Sequence, residues 1–304
     1  MIGAARSSTV DGMPDRVFLP VFVLLWSSGY VVGALAVQVA DPLPLLAIRF
    51  TLAALVLAPL ALRRGRWRGA PFGRLAVLGV VLHVVQFGGI YGGFALGVPA
   101  ALSALVMLGL APLVTAALAV AGGQERGDAR LWAGLAVGVA GVAISLAPAL
   151  GSARVGAGVG VTLLGMLGLS FGTVLQKRWA GDTDPRVSAA AQTVTAAVLV
   201  VPVAAALGGR VELSAGLVLS VAWLGWGMAG LTLLVLIEVL RRRAASSVAA
   251  LLLVVPALTA IASAPLLGEG LHPASLTGMV VAMVGTTAVL RREHRSVTRL
   301  STVL

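Results

Sequence analysis

The chain has 304 residues, with 22 Lys and Arg against 11 Asp and Glu and a formal net charge of +11. It is 59% hydrophobic and 11% charged, with a mean hydropathy of +1.03. This composition excludes a soluble globular domain and describes a polytopic membrane protein. With no cysteine, it also excludes a disulfide framework, thiolate chemistry and cysteine metal sites.

Residues 1–16 are polar, and no small-residue cleavage site follows the first apolar run, which reads as a retained helix rather than a signal peptide. A spanning helix needs roughly 20 apolar residues. Ten are expected, over 17–37, 43–62, 74–96, 98–120, 130–148, 157–177, 186–207, 215–239, 245–267 and 273–290. Only Gly97 to Pro99 separates the third from the fourth; proline disfavours helix in the residue before it, so the break falls there. All but three of the 22 basic residues then lie on one side of the plan. Arg154 and Arg210 lie on the other, and Arg49 lies inside the second span. Basic loops face the cytoplasm, so both termini are expected there. The same short bursts between apolar runs are a topology signal and not a nucleic-acid stripe.

An internal repeat follows. From Ser103 onward the plan returns 144 positions later without a gap: Ser103 with Ser247, Pro112 with Pro256, Thr115 with Thr259, Glu125 with Glu269, Gly134 with Gly278 and Gly141 with Gly285. Upstream the offset is 143: Ser27 with Ser170, Asp41 with Asp184, Pro42 with Pro185 and Pro59 with Pro202. The middles of the copies, 70–97 and 213–240, show no clear alignment. Five spans per copy is an odd number, so the second copy enters the membrane inverted. The expected fold is an all-α polytopic membrane protein with ten transmembrane helices, as two inverted five-helix repeats over 17–148 and 157–290. Residues 1–16 and 291–304 are the cytoplasmic tails. Inverted repeats recur in secondary transporters, which bind substrate near the midplane between them.

Several runs carry a resemblance. They are LLWSSGY (Leu24 to Tyr30), DPLPLLAIRF (Asp41 to Phe50), APLVTAALAVAGGQE (Ala111 to Glu125) before WAGLAVGVAG, and VPALTAIASAPLLGE (Val255 to Glu269) before GMVVAMVG. Together they resemble the drug/metabolite transporter superfamily in its ten-helix, EamA-type branch. Gln124 departs from the glycine usual before the first glutamate. The resemblance implies two five-helix repeats around a central cavity, and export or exchange of a small metabolite. It does not identify the substrate.

Candidate site residues are polar or aromatic groups inside spans. Arg49 sits six residues into the second span, about 9 Å along it; unpaired burial there would cost several kcal/mol, so it reads as functional or as snorkelling to the interface. Its repeat mate is Gln192. His83 and Gln86 share a face of the third span. Trp26 and Tyr30 in the first span, and Trp223 and Trp226 in the eighth, lie away from the ends where interfacial aromatics normally sit. Met107 is a further candidate. Pro112 and Pro256 each interrupt a span and read as a hinge or a static bend. The four-residue glycine spacings Gly29/Gly33, Gly88/Gly92, Gly89/Gly93, Gly134/Gly138 and Gly168/Gly172 read as close-packing faces. Glu125 and Glu269 are expected near the starts of the fifth and tenth helices, where negative charge is favoured, and Glu238 beside Arg241 and Arg242 reads as an exposed ion pair.

Gly168, Ser170 and Gly172 spell G-x-S-x-G, but inside a helix and without the strand a nucleophile elbow needs. No nucleotide-binding loop occurs, and no filter loop or charge ring marks a channel. No catalytic set, metal or cofactor is expected. The expected function is secondary export of a small metabolite, such as an amino acid or other amphipathic solute, from the plasma (inner) membrane. Multidrug efflux is a substrate variant of that reading, and a membrane-embedded hydrolase or acyltransferase is the alternative. The sequence leaves proton or counter-substrate coupling and the oligomeric state open.

Overall fold

The computed structural model describes residues 15–64, 67–124, 127–231, 252–270 and 272–301. Within them lie α1 (Asp15–Val39), α2 (Pro42–Arg64), α3 (Phe72–Ala95), α4 (Ala100–Ala121), α5 (Ala129–Leu146), α6 (Ala153–Ala180) and α7 (Pro185–Leu207). α8 opens as Ala215–Ala222 and continues through Trp223–Leu231; α9 is Val255–Leu267 and α10 is Pro273–Ser301. Among the described residues, α1 to α7 are long and apolar enough to cross a membrane, and α8 to α10 carry shorter apolar stretches. The protein is an all-α polytopic membrane protein. Glu125, Glu238, Arg241, Arg242, Arg243 and Ser247 lie outside the described residues.

Local chemistry sets the helix ends, and it does so twice. Pro42 and Pro185 open α2 and α7, where their missing N–H would have had no helical partner in any case. Asp184 Oδ1 accepts from Arg186 N at 2.9 Å. Asp128 Oδ1 accepts from Leu131 N at 2.9 Å to cap α5; 144 positions on, His272 Nδ1 accepts from Ala274 N at 3.2 Å to cap α10.

Two pairs of repeat mates, α2 with α7 and α5 with α10, pack against each other and run antiparallel. The start of α2 meets the far end of α7, where Asp41 N donates to Arg210 O at 2.8 Å; Leu57 and Ala61 near the other end of α2 pack on Ala190, close to the start of α7. In the α5–α10 pair, Ser145 Oγ donates to Ser275 O at 2.8 Å and Ser275 Oγ to Ser145 O at 3.0 Å. Gly134 at the opposite end of α5 packs on Val289 of α10. Mates that run antiparallel require an axis perpendicular to the helices, which lies in the membrane plane. Three further pairings obey the same exchange: α1 on α9 mirrors α6 on α4, α3 on α6 mirrors α8 on α1, and α2 on α8 mirrors α7 on α3.

Among the described residues, three spans contain π-helical turns: Val80–Val85 in α3, Val106–Leu110 in α4 and Trp223–Leu231 in α8. Those of α3 and α8 begin 143 positions apart, as do the helix starts Phe72 and Ala215. The structure thus supplies the register of the middle of the repeat. Pro112 follows the turn in α4, and Pro256 stands at the start of α9. Without an N–H neither can close the α-helical bond to the preceding turn, so the ladder is reset there.

Candidate functional site

Arg49 lies seven residues past Pro42, about 10 Å into α2. Its guanidinium carbon sits 3.8 Å over the Phe87 ring and 5.4 Å from the Tyr91 ring, and Nη1 donates to Tyr91 Oη. His83, Phe87 and Tyr91 follow each other at four-residue steps on α3, so they form one stripe facing α2. The aromatic rings pack edge to face or tilted: Phe50 with His83 at 5.9 Å, His83 with Phe87 at 6.3 Å, and Phe87 with Tyr91 at 6.3 Å. His83 Nε2 is 3.4 Å from Thr193 Oγ1 of α7, while His83 Nδ1 is buried with no hydrogen-bond partner among the described residues. Tyr30 of α1 is buried in the same hydrophobic core cluster as Phe50 and Tyr91. No carboxylate pairs with Arg49 among the described residues.

The other candidates distribute around this cluster. Trp26 is half-buried on Phe22, ring centroids 5.3 Å apart. Trp223 donates from Nε1 to Ser28 Oγ at 2.9 Å and so ties α8 to α1, whereas Trp226 is 50% exposed. Met107 is fully buried against Gly165. Gln86 lies on another flank of α3, its carbonyl against Gly165 of α6. Gln192, the repeat mate of Arg49, belongs to a separate network in which its Nε2 reaches Gln176 Oε1 at 2.8 Å and Ser188 Oγ at 2.7 Å. Phe87, Tyr91 and Thr193 were absent from the sequence candidates; the four-residue spacing from His83 was the available signal for the first two.

Ser170 is a packing residue in this geometry: Oγ donates to Ala111 O at 3.2 Å. Its mate Ser27 donates to Val23 O of its own helix at 2.9 Å, with Val255 O as a longer partner at 3.4 Å. Each serine hydroxyl therefore lies within reach of the carbonyl just before the repeat's proline, Pro112 or Pro256. Ser27 lies on α1 against α9, and Ser170 on α6 against α4.

At the end of the molecule bearing Arg154 and Arg210, the halves are joined by backbone. Ala40 and Val211 form an antiparallel bridge, flanked by Asp41 N to Arg210 O and Glu212 N to Val39 O, both 2.8 Å. Asp41 Oδ2 also accepts from Arg210 N at 2.7 Å. Gly209, at φ 142°, allows this approach; a Cβ there would sit 2.9 Å from Pro44. Glu269 does not serve the start of α10. Its Oε1 accepts from Ala100 N at 2.7 Å and caps α4 across the repeat boundary. A cavity of about 550 Å³ opens here, lined among others by Phe94, Val98, Arg154, Arg210, Leu267 and Glu269.

The EamA-like transporter family matches residues 17–147 and again 156–291, and the chain belongs to that family of transporters, part of the drug/metabolite transporter superfamily. Among solved structures, one crystal structure is similar with a TM-score of 0.61 at 20% identity, over 90% of this chain and 96% of its own. That likeness concerns the fold. No curated protein matches the chain.

Proposed function

We propose that this transporter exports a small amphipathic solute carrying a carboxylate, of the hydrophobic or aromatic amino-acid type, by alternating access between its two five-helix units, 17–148 and 157–290. Both tails lie in the cytoplasm and the chain resides in the plasma (inner) membrane, so the Arg154/Arg210 end faces outward. The single observation that carries the substrate class is the charge state around Arg49. Its partners are aromatic faces and one hydroxyl, with no carboxylate among the described residues. A cation–π contact returns about 2 kcal/mol when desolvated, less than the several kcal/mol that intramembrane burial of a guanidinium costs. The remainder favours an anion brought by the ligand. His83 Nδ1 offers a second polar anchor, and Phe50, Phe87 and Trp26 suit an apolar or aromatic side chain.

A thermal-shift screen of the purified protein against amino acids, sugars, nucleosides and drugs tests this. Hydrophobic amino acids should raise Tm in the parent and not in Arg49→Gln. Efflux of the same solutes should fall ~10- to 100-fold, the loss of one charge-assisted contact. Replacing His83 or Trp26 by Ala should also reduce efflux at unchanged membrane abundance. Stabilisation by cationic drugs alone, undiminished in Arg49→Gln, would overturn the reading in favour of multidrug efflux.

A further inference from the structure

We propose that the flank of α10 beside Arg130 is a binding site for one anionic phospholipid. A groove of about 520 Å³ lies there, lined by Arg130, Val280, Met283, Val284, Thr287 and Ala288. The last five positions follow the helical spacing of a single stripe along α10. Val280 is 61% exposed and Val284 60%. On a membrane-spanning helix this apolar floor meets acyl chains.

Charge and depth narrow the occupant. Arg130 is exposed in the first turn of α5 and borders the groove, and its guanidinium is the one charged group in the lining among the described residues. α5 runs antiparallel to α10, so Arg130 stands at the Ala288 end of the stripe, next to the contact of Gly134 with Val289. From Ala288 to Val280 the helix rises about 12 Å. The hydrocarbon core is ~30 Å thick, so one leaflet reaches about 15 Å. A phosphate at the guanidinium would therefore send one acyl chain down the stripe for most of its leaflet. Basic pockets between spans are a recurring form of anionic headgroup site.

The repeat supplies an internal comparison. The mate of Arg130, 144 positions on, is Ala274. The equivalent stripe of α5, through Val139, Ala143 and Ile144, therefore ends without a cation. Two similar apolar flanks differ in one guanidinium, which confines the anion site to the arginine-rich face and to one leaflet.

The test uses the full chain in detergent, titrated with palmitoyl-oleoyl phosphatidylglycerol or the matching phosphatidylcholine. Bound lipids are counted by native mass spectrometry, with Tm read in parallel. The parent should retain one phosphatidylglycerol about tenfold more tightly than phosphatidylcholine, as expected for one charge-assisted contact, and gain Tm accordingly. Arg130→Gln should abolish that preference, while Arg178→Gln, a change at another exposed arginine of the same face, should leave it intact. Val284→Trp, which fills the groove and spares the charge, should also displace the lipid. The proposal is overturned by equal retention of the two lipids, by an unchanged preference in Arg130→Gln, or by the same Tm gain from inorganic phosphate. A shift of Val284→Trp from dimer to monomer would overturn it too, assigning the flank to a second copy of the chain.

Discussion

Ser170 and Ser27 illustrate how one side chain is read differently by motif and by geometry. The G-x-S-x-G spacing invites a nucleophile, yet Ser170 Oγ donates to Ala111 O and Ser27 Oγ is shared between Val23 O and Val255 O. Removing one such hydroxyl should cost ~0.5–1.5 kcal/mol. Ser170→Ala should accordingly lower Tm by a few degrees and leave solute efflux near the parental rate. Unchanged stability with complete loss of activity would point back to chemistry at the hydroxyl. Arg49 was readable from the sequence because a charge inside an apolar run stands out. Phe87 and Tyr91 were not, because aromatic residues in an apolar run look like ordinary core, and only the fold reveals that a guanidinium lies over them. Thr193 was hidden for another reason: its contact with His83 spans 110 positions and leaves no local trace.

At the scale of the helix, the glycine pattern offered two registers on α3 and the structure separates them. A Cβ on Gly89 would meet Val161 O at 2.8 Å and crowd Gly165 still more closely, whereas Gly88 has nothing within 4 Å. The expected Gly88/Gly92 packing face is thus corrected at Gly88 alone, since a Cβ on Gly92 would meet Val161 of α6 at 3.0 Å. Gly89 and Gly93 form the contact with α6, and Gly88 has open space. Gly89→Ala should destabilise the protein by ~1–3 kcal/mol, the usual cost of overpacking. Gly88→Ala should be neutral or stabilising by up to ~1 kcal/mol through helix propensity. Denaturation midpoints of the two variants check this, and equal losses would contradict the assigned face. Spacing alone could not choose, because both pairs satisfy the four-residue rule. The repeat's middle was unreadable for a related reason. The π turn of α3 passes through Val80, Leu82 and His83 and that of α8 through Trp223, Gly225 and Trp226, so the backbone recurs where the side chains do not.

For the whole molecule, the duplication was legible because prolines, capping residues and close-packed glycines are fixed by backbone needs that both copies share. Contacts between the copies were not, and the Ala40–Val211 bridge is the clearest case. It joins residues 171 positions apart through main-chain groups, which any sequence carries. The flanking bonds make it a non-hydrogen-bonded antiparallel pair, with Cα atoms about 4.5 Å apart, inside the span a disulfide tolerates. Because the chain has no native cysteine, Ala40→Cys with Val211→Cys should cross-link cleanly under oxidation, halt transport, and recover on reduction. Full transport by the oxidised pair, with the cross-link confirmed by mass, would remove this contact from the cycle.

That bridge also sets an energy scale for the cycle. A cycle of the proposed kind that parts the two units at this bridge breaks its two 2.8 Å backbone bonds. At ~0.5–1.5 kcal/mol net for each, they favour the bridged form by ~1–3 kcal/mol, a preference of roughly 5- to 150-fold. A solute that binds the unbridged form more tightly by the same factor returns the two forms to equal population. No nucleotide hydrolysis is needed for a shift of that size; the binding free energy of one small molecule suffices.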